Sequence, residues 1–158
     1  MLDAKVRKAL RQNERSMTDG GLSDGMDLAM SVFNHSTNEL VFAGANRPLF
    51  LLRNGEVHTI AGSRAPIGDA RIEDKVYEAH KINVEPGDRF FMFSDGVTDQ
   101  FGGERNKKYG RRRFKRFLEA TAEMDFHTQN EAIKLEFHRW RGDLPQTDDV
   151  CLVSVQPV

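Results

Sequence analysis

Arg53-Asn54-Gly55-Glu56 lies between two apolar stretches, Pro48-Leu49-Phe50-Leu51-Leu52 and Val57-His58-Thr59-Ile60. An Asn-Gly pair supplies the positive φ angles of a tight hairpin turn, so the two stretches are predicted to run as antiparallel strands. That commits the chain to a sheet, and neighbouring segments extend it. Met26–Phe33 alternates as a strand does, and Asn34 to Asn38 turns the chain into Leu40-Val41-Phe42-Ala43. A strand around Tyr77–Val84 is stopped by Glu85-Pro86-Gly87. It is followed by the apolar run Arg89-Phe90-Phe91-Met92-Phe93 and, at the end of the chain, by a strand over Val150–Val155.

Both ends of the chain change period. Leu2, Val6, Ala9 and Leu10 recur at helical spacing among charged residues, which predicts an amphipathic helix over 2 to about 15. Residues 16–25, SMTDGGLSDG, read as a loop. Phe114, Phe117, Leu118 and Thr121 line one later helix face, and Ile133, Phe137 and Trp140 line another, where Phe137 and Trp140 read as core packing. Thr128 with Glu131 three residues on resembles a capping box for the last helix. The expected class is α+β, mostly antiparallel sheet flanked by helices. Three helices are thin cover for a sheet this apolar.

The chain has 158 residues, enough for one domain with a real core and too short for two comfortable ones, so 1–158 is read as a single domain. A net charge of −1 gives no global pull toward nucleic acid or an acidic membrane. No apolar run approaches a membrane span and no signal-peptide core opens the chain, which predicts a cytoplasmic domain and leaves room for a membrane tether in a longer parent. The single Cys151, within Val150-Cys151-Leu152-Val153, fits a reducing compartment and reads as a buried structural thiol.

The chemistry is in the carboxylates. Asp95 lies just past one apolar strand, while Asp148 and Asp149 lie just before another. If those strands are antiparallel neighbours, the three acids meet at one edge of the sheet, where like charges repel unless a cation neutralises them. Hard oxygen donors without paired Cys or His favour Mg²⁺ or Mn²⁺ over zinc. The plainer alternative is that Asp95-Gly96 is a turn and Asp148-Asp149 a strand entry.

Five ordered segments carry a resemblance: DGMDLAMSVF, VFAGANRPLFLLRNGEV, RAPIG, VEPGDRFFMFSDGVTDQFGG and LPQTDDVCLVSV. From Asp24 onward the sequence resembles the SpoIIE-like bacterial branch of the PPM metal-dependent protein phosphatases. The resemblance implies an α-β-β-α sandwich and hydrolysis of phosphoserine or phosphothreonine by a water that bridges two metals. It makes Asp95 and Asp148 catalytic metal ligands. Gly96, Asp99 and Asp149 are assigned to the surroundings of the metal, Asp99 holding a metal-bound water and Asp149 standing behind the ligands. The implied substrate is a phosphorylated STAS-type anti-sigma-factor antagonist.

The same resemblance includes an N-terminal Gly-Asp segment whose Asp bridges the metals, and nothing of that kind precedes Asp24. The chain is therefore read as the C-terminal portion of the domain, lacking its opening strands and first helix. It is expected to bind Mg²⁺ or Mn²⁺ weakly, to be nearly inactive alone, and to form a homodimer through exposed strand edges. The alternative function is a non-catalytic, phosphatase-like module that binds a regulatory partner.

Residues 105–116, RNKKYGRRRFKR, form the most basic run. A solvated loop leading onto the polar face of a helix is favoured over nucleic-acid binding, and steering of an acidic phosphoprotein lies between the two. Five histidines, His35, His58, His80, His127 and His138, show no metal-ligand spacing. Asp24 and Asp27 resemble part of a metal cluster, but Asp27 falls on a strand position and is read as partly exposed.

Overall fold

The computed structural model describes residues 2–10, 24–72 and 74–158. The chain forms two compact units, one comprising the residues up to Pro48 together with Ala61–Ile82, the other Leu49–Ile60 together with Asn83–Val158. Nearly all strand pairing is antiparallel, so the α+β expectation holds.

In the first unit, α1 (Leu2–Ala9) precedes β1 (Leu28–Asn34) and β2 (Glu39–Ala45), which pair in register from Leu28↔Ala45 to Asn34↔Glu39. With β5 (Ala79–Asn83) they form a three-stranded sheet in the order β1-β2-β5. Leu40, Phe42 and Ala45 are buried, whereas α1 buries no residue completely. Polar contacts hold α1 instead. Asp3 accepts from Lys75 Nζ at 2.7 Å and from the Gly68 amide at 2.8 Å, and the Lys75 side chain is only 2% exposed. Burial alone would push the Asp3 carboxyl up, but the hydrogen bonds from Lys75 and Gly68 outweigh it and hold the carboxyl below its ordinary value. Residues 11–15 of the expected helix and 16–23 of the expected loop lie outside the described residues.

The second unit is built on β3 (Leu49–Arg53), β4 (Glu56–Ile60), β6 (Arg89–Phe93) and β9 (Leu152–Val155), ordered β4-β3-β6-β9. The predicted hairpin is present: Asn54 and Gly55 have φ of 51° and 81°, the left-handed pair such a turn requires. The side-chain period of two puts Phe50, Leu52, Val57, Phe91 and Phe93 on one face. Phe114 and Leu118 of α3 (Arg111–Ala120), Ile133 of α4 (Phe126–Arg141), Val97 and Tyr109 complete that cluster. Its rings meet edge to face, Phe50 on Phe93 at 4.9 Å and Phe93 on Phe114 at 5.1 Å. Full burial of each such side chain contributes about 1.5–3 kcal/mol, so this face is the centre of the unit's stability. The outer strand β4 is shielded in part, because its Val57 amide donates to Glu119 of α3 at 3.1 Å.

Two sequence expectations are corrected. Thr128 does not cap α4. Asp125 does, its carboxylate accepting from the Thr128 amide at 3.0 Å and from the Thr128 hydroxyl, while Glu131 pairs with Lys134. An Asp with the right extended backbone lies three residues earlier, and a carboxylate accepts from the helix amide with a full negative charge. Cys151 is exposed rather than buried, because β9 begins one residue later and Cys151 belongs to the strand's polar entry. The basic run is as expected in part: α3 carries it outward while burying Phe114 and Leu118 and half-burying Phe117. Three short elements were not anticipated, namely α2 (Asp95–Asp99), β7 (Phe101–Gly102) and β8 (Lys107–Lys108).

Candidate active site

β6 and β9 are antiparallel neighbours, paired from Phe90↔Val155 to Phe93↔Leu152. The exit of β6 and the entry of β9 therefore lie at the same end of the sheet, and the acidic segments that follow one and precede the other converge there. Ser94 fastens the junction. Its amide donates to the Cys151 carbonyl at 2.9 Å, its hydroxyl donates to the Asp149 carbonyl at 2.8 Å, and its Oγ accepts from the Cys151 amide at 2.9 Å.

Past Ser94 the chain turns at once into α2, so Asp95 opens that helix and is half-buried. Gly96 is buried against the other segment. A Cβ there would collide with the carbonyl group of Asp149 and press on the carbonyl oxygen of Asp148. Glycine is required by this close approach, which brings the backbone of 148–149 directly onto the first turn of α2. Asp148 and Asp149 are exposed. An Asp148 carboxylate oxygen accepts from the Asp149 amide at 2.7 Å, and the Asp148 carbonyl accepts from Gln146 Nε2 at 2.8 Å, so the segment is partly braced by itself.

Asp95, Gly96, Asp148 and Asp149 are thus brought to one edge. Asp99 sits one turn further along α2, with its carboxylate paired to Lys108 Nζ at 2.7 Å. Sequence reasoning missed Gln100. This side chain is fully buried; its Nε2 donates to the carbonyls of Phe101 and Pro145, at 2.9 and 3.0 Å, and its Oε1 accepts from the Thr147 amide at 3.0 Å. Gln100 therefore ties the end of α2 to the loop that delivers Asp148. Ser94 and Gln100 both lie within the FSDGVTDQFGG segment, but a polar letter beside an Asp-Gly pair gives no sign that it bridges to residues about fifty positions away.

By donor type the edge suits a hard divalent cation, with carboxylates of Asp95 and Asp148 and neighbouring backbone carbonyls, and no Cys or His side chain in the set. Among the described residues, no three His, Cys, Asp or Glu side chains gather closely enough to hold a metal ion. The donors fit part of a ligand set.

An antiparallel α+β chain with carboxylates meeting where two neighbouring strands end is the architecture of the PP2C-type, metal-dependent phosphatase fold. Solved structures of that fold match over nearly the whole chain. The PP2C domain of SiaA from Pseudomonas aeruginosa superposes with a TM-score of 0.76 at 31% identity, covering 95% of this chain and 58% of that one. The phosphatase domain of the cell fate determinant SpoIIE from Bacillus subtilis gives 0.63 at 18% identity, covering 96% and 73%. The RsbU and RsbW domains of a Mycobacterium tuberculosis protein give 0.68 at 14% identity, covering 97% and 46%. The last two are similar in fold alone. The model of the Stage II sporulation protein E (SpoIIE) family matches residues 2–157, and the chain belongs to that family. It spans little more than half of the SiaA chain. No curated protein matches the sequence.

Proposed function

We propose that residues 1–158 form part of one PPM-type domain that hydrolyses phosphoserine or phosphothreonine on a bacterial signalling protein, with Asp95 and Asp148 as metal ligands. The observation that carries the reading is the β6–β9 pairing, which delivers both carboxylates to one sheet edge, with Gly96 admitting the 148–149 backbone to close contact. Family membership and the 31% identity to the SiaA PP2C domain support it.

In this reading Asp95 and Asp148 hold Mg²⁺ or Mn²⁺. Ser94 and Gln100 keep the two acidic segments in register, and Asp149 supports Asp148 through its amide. The cation, when bound, supplies Lewis acidity toward phosphate oxygens and lowers the pKa of water. Asp99, engaged with Lys108, lies one turn from the ligands and is assigned the surrounding water structure. The substrate class we assign is a phosphorylated STAS-type anti-sigma-factor antagonist, which agrees with the likeness to RsbU and SiaA domains. We place the domain in the cytoplasm; among the described residues no helix is long and apolar enough to cross a membrane. A homodimer is proposed through β1 and β9, the outermost strands of their sheets, which expose Met30, Val32, Val153 and Val155. Light scattering that gives a clean monomer would remove it.

The test is calorimetry with Mn²⁺. The wild-type chain should give a weak binding heat that Asp95→Asn abolishes; equal heats for the two would take Asp95 out of the site. The second reading, a non-catalytic partner-binding module, draws on the absence of any gathered trio of ligand side chains among the described residues. It predicts no Mn²⁺ heat at all. Full turnover of p-nitrophenyl phosphate by this chain alone would overturn the expectation that it supplies only part of the ligand set.

A further inference from the structure

The second unit holds a groove of about 1150 Å³ that is separate from the acidic edge. Half of its fourteen lining residues are basic and two are acidic. The chain as a whole carries a net charge of −1, so this is a local segregation of charge rather than a general basicity. Its floor is aromatic. The Tyr109 ring packs edge to face on Trp140 at 5.5 Å, and the Arg113 guanidinium lies 4.1 Å from the Trp140 ring centroid, a close cation–π contact. Gly102, in β7, is pressed against the Trp140 carbonyl so tightly that a Cβ would collide with it, and the Gly103 amide donates to the same carbonyl at 2.9 Å. The β7–β8 hairpin is thereby clamped to the end of α4.

The internal charge balance leaves most of the cations available. Glu136 is consumed inside the protein by Arg139, at 3.1 Å, and by the Tyr109 hydroxyl, whose pKa is driven up first by burial and then by the Glu136 charge. Lys108 pairs with Asp99. Among the described residues, Arg105, Lys107, Arg112, Arg113 and Arg116 have no acidic partner, and all five are exposed. Lys108 stands at the junction between the two sites. Its partner Asp99 is four residues from Asp95, and the amides of Tyr109 and Gly110 donate to the carbonyls of Gln100 and Thr98.

From this juxtaposition the geometry points to a docking surface for an acidic protein segment, the carboxylate-rich flank of the phosphoprotein whose phosphorylated residue reaches the Asp95–Asp148 edge. The inference rests on the phosphatase reading for the identity of that partner. A basic groove whose Lys108 is paired to Asp99, one helical turn from Asp95, supplies attraction and orientation for the acidic flank of such a substrate. A nucleic-acid strand suits the groove less well. Tyr109 is buried and Trp140 is covered by Arg113, so neither ring offers a free face for a base to stack on.

The experiment compares three fluorescent probes by anisotropy at low and at physiological salt. One is a phosphoserine peptide flanked by Asp and Glu, one the same peptide with Asn and Gln flanks, and one a single-stranded oligonucleotide. The wild-type chain should bind the acidic peptide about tenfold tighter than the neutral one, with the preference shrinking as salt rises. The double charge reversal Arg112→Glu with Arg116→Glu should abolish the preference, while Lys81→Glu in the other unit should retain it. Thermal melts should show both variants folded. Equal affinity for the two peptides, or a preference that survives the double reversal, overturns the docking surface. Tighter binding of the oligonucleotide than of either peptide overturns it in favour of nucleic acid. The peptide readout needs no metal, so an intact acidic preference beside a missing Mn²⁺ heat supports the docking surface and sinks only the catalytic reading.

Discussion

The two ends of β6 carry acids with opposite fates. Before its first residue, Asp88 is 1% exposed and fully engaged: Arg53 grips it in a fork at 2.8 and 2.6 Å, and the Glu85 amide donates to it at 2.9 Å. The hydrogen bonding of the Arg53 guanidinium to Asp88, more than the Coulombic attraction, raises the Arg53 pKa above its ordinary value. Arg89 next to it is equally committed, to Gln129 at 2.9 Å and to the carbonyls of Met124 and Ala122. After the last residue of the same strand, Asp95 is half-buried and faces a segment whose Asp148 and Asp149 are exposed. There it is backbone packing, through Ser94 and Gly96, that holds the acids together. One strand thus separates an acid that serves the fold from acids gathered where a cation could serve them. The difference is burial: Asp88 is sealed in with its guanidinium partner, whereas Asp148 and Asp149 stand in solvent.

Breaking the closed end should have the largest effect. Asp88→Ala leaves a partly buried guanidinium and a backbone amide without their acceptor and should cost about 3–5 kcal/mol, read from urea unfolding. A loss below about 1 kcal/mol would erase the distinction between the two ends. Gly96→Ala should come next, at about 1–3 kcal/mol, because the added methyl forces the 148–149 backbone away from α2. The same variant should lose its Mn²⁺ heat, and retention of that heat would show that the close approach is not what shapes the edge. Asp95→Asn should move stability by no more than about 0.5 kcal/mol in either direction while removing the metal heat.

The smallest effect concerns a third acid, Asp3, which like Asp88 has its counter-charge inside the chain. Its pKa is lowered in the folded protein, so the unfolded chain binds the proton more readily as pH falls. The Asp3–Lys75 contribution is therefore complete above the ordinary carboxylate value of 3.8 and is lost as pH drops through the lower folded value. Asp3→Asn should make the acid limb of the stability profile shallower, and an unchanged limb would show that the ion pair contributes nothing.

Much of the framework was legible because its signals are local. The Asn54-Gly55 turn, the alternation in β1 and the helical spacing of Phe114 and Leu118 each depend on residues a few positions apart. The bounds of β6 follow directly from its apolar run. The α4 cap was misread because two candidate caps lay three residues apart and only backbone geometry chooses between them. Cys151 was misread because burial is a property of packed neighbours, and an apolar letter context does not report how far a strand extends. Gln100 and the aromatic floor of the basic groove gave no sequence signal, since each makes its decisive contacts with residues roughly thirty to fifty positions away.

By itself the sequence determined which longer segments are strands, that Asp95 and Asp148-Asp149 stand at strand ends, and that the cations cluster between 105 and 116, because composition and short-range periodicity are written residue by residue. Only the tertiary structure decided that β6 and β9 are neighbours, that Gly96 lies against the Asp149 carbonyl, and that α3 and α4 turn a run of basic letters into a groove with an aromatic floor. Those outcomes depend on which long-range pairing buries the most apolar surface around Phe50, Phe91, Phe93 and Phe114, a choice made by the whole core at once.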